Sequence, residues 1–290
     1  MNTQMEISKR EWENFVKGGQ FNQKNVREVI YQSWQRCKEN NVDPFGGRGE
    51  KQDEKLLDSI RKTNKDLIKI ARPFMEELAK VVRNSNFVVV LTDSSGMIVE
   101  IAGDEEIIDR AIKLRFSPGS YWSEEKVGTN AIGTAIKIDK PLQVIGAEHY
   151  CQKHHPWTCS AATIHNQNGD LIGILNMSGD SEYAHPHTLG MVVAAAKSIE
   201  NQIFLIEKNR ELKKADNFSK AIFNSMSEGL ISINNHGKVI LINQAGSRML
   251  GVNRKKVFGI DIKEILGEQK PIEKMLADHK VFNDEELSIP

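Results

Sequence analysis

The sequence predicts an α+β chain in which a helical N-terminal region precedes an antiparallel sheet domain, and a long helix then leads to a second, smaller sheet module. Three observations predict it. Apolar residues recur at helical spacing through the first 86 residues, the period changes to that of strands at Phe87, and alternating strands recur from Gly229 in GLISINNHGKVILINQAG. A composition of 39% hydrophobic and 27% charged residues over 290 positions is that of soluble globular protein with room for two domains.

The elements follow in order. EVIYQSWQRC sets Val29, Ile30, Trp34 and Cys37 close to helical spacing, and VDPFGGRG ends that helix through Pro44 and the glycines Gly46, Gly47 and Gly49. A second helical stretch carries Leu56, Ile60, Thr63, Leu67 and Ile70. Pro73 is expected to kink or restart it, with Phe74, Leu78, Val81 and Val82 as the next buried face. FVVVLTD and MIVEIAG, joined by DSSG, read as a hairpin over residues 87–103. GDEEIIDRAIKL is an amphipathic helix, and GTNAIGTAIKIDK puts Ala131, Ile132, Ala135 and Ile136 on one face of another. LQVIG, SAATIHNQNG and DLIGILNMSG complete the sheet, with a turn at Asn166 to Gly169.

From His187 a long helix carries Leu189, Val192, Ala196, Ile199, Ile203 and Ile206 at steps of three and four. Such a seam serves either a coiled coil between two copies or a face packed on the domain's own sheet. Past Ile206 it would reach Arg210 and Lys213, so the register slips. Short helical pieces from Ala245 to Leu266 follow the second hairpin, and EELSI, Glu285 to Ile289, reads as the start of a third strand. The expected divisions are a helical region at 1–86, a sheet domain at 87–205, a helical linker at 206–216 and a second module at 217–290.

Lys plus Arg number 39 and Asp plus Glu number 39, so the chain has no bulk electrostatic reason to gather on DNA or an anionic membrane. No run approaches the roughly 20 apolar residues of a membrane span, and the start lacks a signal-peptide core, so a cytoplasmic location is expected. The three cysteines, Cys37, Cys151 and Cys159, are expected as free thiols.

A series of motifs in order carries a resemblance: SWQRCKENNVDP (Ser33 to Pro44), SEEKVGTNAIGTAI (Ser123 to Ile136), EHY (Glu148 to Tyr150), WTCSAATI (Trp157 to Ile164), GDLIGILNMSG (Gly169 to Gly179) and HPHTLGMV (His185 to Val192). Together they resemble the leader and GAF domain of the acetoin-catabolism type of sigma-54-dependent transcriptional activators. The stretch from Phe218 to Gly251 is similar to a PAS domain, of whose usual five strands two or three fit before Pro290, so a truncated PAS module is expected. The resemblance implies a signal-sensing regulatory region that binds a small effector and relays it through the connecting helix to an output domain. Its expected partners are that effector and a second copy of the chain, through helices near 187–225. Sigma-54 RNA polymerase and DNA would be reached only through further domains, and no membrane is involved. With no GxxxxGK[ST] loop and no assembled nucleophile, no enzymatic activity is expected. The alternatives are a GAF-type free methionine sulfoxide reductase, or the GAF/PAS sensor of a histidine kinase or cyclic-nucleotide enzyme.

Within these motifs Gly128 and Gly133 permit close backbone approach. Thr129 and Asn130 either cap the following helix or offer its free amides to an anionic effector such as an acetate-like or keto-acid metabolite. EHYCQKHHPWTCS gathers His149, Cys151, His154, His155 and Cys159, which suits loop packing, redox sensing or a metal, although the spacing fits no standard zinc pattern. Glu148 beside His149 could form a buried acid–base pair, and Trp122 is either a lid over a cavity or ordinary packing. The resemblance carries His149, Trp157 and Cys159. The ligand-binding candidates are therefore Trp122, Thr129, Asn130, His149, Trp157 and Cys159, with no catalytic residue, metal or cofactor expected. In the second module Asn243 reads as a cap, and His236 and His279 as solvated residues that offer no haem ligand. A closed chamber is expected around Gly128 to Ile136, sensed by the helix that leaves it.

Overall fold

The structure, a computed structural model, describes residues 2–269, 272–274 and 276. Its first half is helical: α1 (Asn2–Lys17), α2 (Glu28–Glu39), a short strand β1 (Glu50–Lys51), α3 (Glu54–Thr63) and α4 (Lys65–Val81). Then come β2 (Phe87–Asp93), β3 (Ile98–Gly103), α5 (Glu105–Lys113), β4 (Ser120–Tyr121), α6 (Glu124–Val127) and α7 (Ala131–Ile138). Strands β5 (Leu142–Ile145), β6 (Trp157–His165) and β7 (Leu171–Asp180) lead to the helix α8 (Pro186–Ser225).

The chain forms two units, divided between Glu207 and Lys208. In the first, five antiparallel strands lie in the order β3-β2-β7-β6-β5, an arrangement of the GAF kind, while β1 pairs separately with β4. Strand β2 is buried along its whole length because both sheet faces are covered. Alternation assigns Val88 and Val90 to one core, with Trp12, Ile30, Trp34 and Ile132, and assigns Val89 and Leu91 to the other, with Ala71, Met75 and Ile199.

This packing differs in kind from a separate N-terminal region. Helices α1 and α2 complete one core and α4 the other, so residues 1–86 supply the cover that a two-sided apolar sheet requires. Helix α4 runs through Pro73, and the break falls at Asn64 instead. Pro73 and Lys69, whose carbonyl the proline leaves without an N–H partner, both lie on the exposed face of the helix.

The seam on α8 is used within the domain: Val192, Ala196, Ile199 and Ile203 are buried in the second core beside Leu67, Ala71 and Met75. The same helix contains an 18-residue window of mean hydropathy 1.3, long and apolar enough by composition to cross a bilayer, which the sequence reading did not anticipate. Its seam is spent on the sheet. Apolar neighbours such as Met191, Val193 and Ala195 raise the average between seam positions.

The second unit pairs β8 (Ile231–Ile233) with β9 (Val239–Ile242) around the turn at Asn234 to Lys238, and continues into α9 (Gln244–Met249) and α10 (Ile262–Leu266). Asn243 caps α9 as expected, its Oδ1 accepting from Gly246 N at 2.7 Å and from Leu230 N at 2.9 Å. His236 sits in the exposed turn. His279 and the segment Glu285 to Ile289 lie outside the described residues.

Candidate functional site

Two motifs far apart in sequence meet in a buried polar knot. Glu124 receives the Arg36 guanidinium in a two-bond fork, Nε to Oε2 at 2.7 Å and Nη2 to Oε1 at 2.8 Å, and its Oε1 also accepts from Ser33 Oγ at 2.5 Å. Glu124, in turn, raises the Arg36 pKa. Ser33 and Thr129 share a hydrogen bond of 2.6 Å, and Cys37 Sγ lies 3.5 Å from Thr129 Oγ1. Asn130 Oδ1 accepts from Gly133 N at 2.9 Å and so caps α7, while its Nδ2 donates to the Gly128 carbonyl. A Cβ at Gly133 would lie 2.4 Å from the Glu124 backbone nitrogen, which explains the glycine. SWQRC and GTNAIGT are thus the two halves of one joint.

That joint corrects the expected chamber. Thr129 and Asn130 are buried and hydrogen-bonded to protein partners, and neither is among the residues that line the cavity described next.

The cavity lies beside the joint, under the His-rich loop. Leu114 and Phe116 follow α5, Trp122 follows β4, His149 and His154 come from the loop between β5 and β6, Trp157 and Cys159 from β6, and Ser178 from β7. Four sequence candidates therefore converge here: Trp122, His149, Trp157 and Cys159. Leu114, Phe116, His154 and Ser178 were missed. Of these, His154 had a sequence signal in the HHPW doublet, and Ser178 had one in NMSG. The cavity volume is about 20 Å³, room for roughly one water.

The N-terminal helices hold the loop that supplies the histidines. Trp12 Nε1 donates to the Tyr150 carbonyl and Trp34 Nε1 to the Glu148 carbonyl, each at 2.8 Å, bracketing His149 from both sides. Arg27 forks onto the Glu148 carboxylate, with both bonds at 2.7 Å, and Glu148 Oε2 accepts from Ile145 N. Glu148 therefore serves Arg27 and the backbone and does not pair with His149. A strap from Asp43 to Lys51 crosses the loop: Cys151 Sγ donates to the Asp43 carbonyl, Gln152 N to the Pro44 carbonyl, and Lys51 pairs with Ser120.

The electrostatics follow from burial. His149 is pushed well below the ordinary imidazole range, and His154 and His155 fall to about 4, in each case chiefly because burial penalises the charged ring. His149 Nδ1 faces the Gly146 carbonyl at 2.9 Å and His154 Nε2 faces the Gly47 carbonyl at 2.7 Å, so those nitrogens carry the hydrogens. Burial also raises the thiols, Cys37 to about 11 and Cys151 and Cys159 to about 12. The raised thiols contrast with the low-pKa cysteines that redox sensing or sulfoxide reduction employs. Among the described residues no group of three or more His, Cys, Asp or Glu is arranged to hold a metal ion.

Residues 5–203 match the family described as "MimR, N-terminal domain". The chain belongs to that family. Residues 217–286 match a PAS domain family. The chain is 37% identical, over 81% of its length, to a signal-transduction and transcriptional-control protein of Clostridium beijerinckii. It is 33% identical, over 78% of the chain, to the acetoin dehydrogenase operon transcriptional activator AcoR of Bacillus subtilis. The chain spans 37% of the length of each of these relatives, both of which bear the names of regulatory proteins. The crystal structure of the Escherichia coli DhaR(N)–DhaL complex contains the same fold, with a TM-score of 0.83, 20% identity, and coverage of 90% of this chain and 89% of that one.

Proposed function

We propose that these residues form the signal-sensing region of a cytoplasmic, sigma-54-dependent transcriptional activator, which takes up a small effector in the cavity of the GAF unit and carries no catalysis of its own. The carrying observation is the aromatic and imidazole-lined cavity, walled by Trp157 and Cys159 of β6 and by His149 from a loop pinned by the N-terminal helices. An effector that favours one packing of this wall shifts the balance between two states of the domain, and only a difference in affinity between those states can do so.

Helix α8 is not among the cavity's walls. The relay we favour therefore passes through β6 and β7, which line the cavity with Cys159 and Ser178 and meet the α8 side with Ala162 and Met177. A second route joins the cap of α7 to α8: His165 contacts Asp139 through Nε2 at 2.7 Å and Glu200 through Nδ1 at 3.1 Å. Two copies associating along α8, where Leu205, Leu212, Phe218 and Ile222 are exposed, would deliver the change to the output domains that contact polymerase and DNA. A native mass spectrum of the chain purified from its source tests the central claim. A retained small molecule is expected, and it should be absent from a Trp157→Ala variant. A bare mass in both counts against the reading.

A further inference from the structure

His165 stands at the end of β6, where the pairing with β7 shifts register, and both of its ring nitrogens face a carboxylate. Nε2 lies 2.7 Å from Oδ1 of Asp139, the left-handed residue that ends α7, and Nδ1 lies 3.1 Å from Glu200 Oε1 on α8. A neutral imidazole carries one hydrogen, so one of these nitrogens would then set its lone pair against a carboxylate oxygen. The closed arrangement is therefore that of the charged ring. The two carboxylates are not held alike. The Glu200 side chain is 15% exposed, also accepts from the His165 backbone N at 2.8 Å, and pairs with Lys197 at 2.8 Å. The Asp139 side chain is 59% exposed and, among the described residues, has the His165 ring as its one side-chain partner. Of the neighbouring charges, Asp170 in the β6–β7 turn is taken by Asn166 Nδ2 at 2.9 Å, and β7 sets the uncharged Leu171 opposite His165. Lys137 and Lys140, which flank Asp139, make no ion pair with it among the described residues.

We infer that His165 is a proton-operated clasp between α7 and α8: the charged ring holds Asp139 and Glu200 together, and the neutral ring keeps Glu200 and releases Asp139. The coupling to signalling rests on the route from α7 to α8 proposed above, whereas the clasp itself needs no effector. Burial opposes the charge on the ring, but Asp139 and Glu200 outweigh it and hold its pKa above the ordinary imidazole value. The clasp is thus closed at lower pH and opens as pH rises through that raised value. Its opening is felt on both faces of the sheet, because α7 packs in the core of Trp12 and Trp34 and α8 in that of Ala71 and Met75.

The test follows the ring nitrogens of the ¹⁵N-histidine-labelled full chain from about pH 5 to about pH 9. Amide exchange from Ile199 to Ile203 is measured at the same pH values and corrected for the intrinsic rate. Above its transition His165 should keep the hydrogen on Nδ1 and lose it from Nε2. Protection of the α8 amides should fall by about twofold to fivefold across that transition, the range expected of a part-exposed ion pair. Asp139→Asn keeps the left-handed turn, which asparagine tolerates. It should move the His165 transition to lower pH and flatten the fall in protection. The contributions of His154 and His155 are common to both proteins and cancel in the comparison. A neutral ring with its hydrogen on Nε2, a transition that Asp139→Asn leaves in place, or α8 protection that is constant in the wild type or falls equally in both proteins overturns the inference. Should the variant fail to fold, the tautomer of the neutral wild-type ring still decides. None of these outcomes bears on whether the cavity holds an effector, and a bare native mass spectrum leaves the clasp standing.

Discussion

At the scale of single residues, the joint between Ser33, Arg36, Glu124 and Thr129 is the most consequential feature, because it buries a carboxylate whose partners lie some ninety residues away in sequence. Glu124→Gln keeps the shape but strands the guanidinium, and is expected to cost about 3 kcal/mol in urea unfolding. Gly133→Ala pushes a methyl group against the Glu124 backbone and is expected to cost about as much. The histidines set the pH response. His154 and His155 titrate near 4 when folded and near the ordinary 6.5 when unfolded, so the unfolded chain binds more protons between those values. Stability therefore falls as pH drops through that window, by up to about 1.4 kcal/mol per pH unit for each histidine. Denaturant midpoints measured from pH 7 to pH 4 should show it. His165 acts in the opposite sense: burial opposes its charge, but the carboxylates of Asp139 and Glu200 outweigh that and raise its pKa, so its contribution fades as pH rises. Asn130 was legible as a cap because capping is local. The role of Thr129 was not, since no spacing rule links it to Ser33.

At the scale of elements, strand alternation and the turns at Asn166 and Asn234 made the two hairpins readable from sequence, because a period of two and an Asn–Gly turn are local signals. The helices of the first 86 residues were readable as helices, but their destination was not. An amphipathic face does not announce which surface it will cover. The heptad-like seam of α8 shows the same ambiguity. Ile199 is fully buried against the sheet, whereas Leu212 is 68% exposed. Ile199→Ala should cost about 3 kcal/mol in global unfolding. Leu212→Asp should leave that transition within about 0.5 kcal/mol of wild type, and should lower the sedimentation coefficient if two copies meet along the outer face of α8. An unchanged coefficient for a dimeric wild type would remove this helix face from the interface.

At the scale of the molecule, both hydrophobic cores of the first unit close within residues 1–207. That segment expressed alone is expected to unfold in one cooperative step, with a near-UV spectrum dominated by its buried tryptophans, whereas a fragment starting at Phe87 should not fold. Trimming away α1 and α2 removes the indole donors of Trp12 and Trp34 and leaves two carbonyls of the histidine loop without partners. The sheet has a further consequence. Cys159 and Ala162 are three steps apart on one strand and face opposite interiors. Densely packed matter on both sides cannot be squeezed locally, so a guest that swells the aromatic side must bow the plate between them. The rod resting on the far side would feel that bowing along its whole seat, and no chain of dedicated side chains need carry the message.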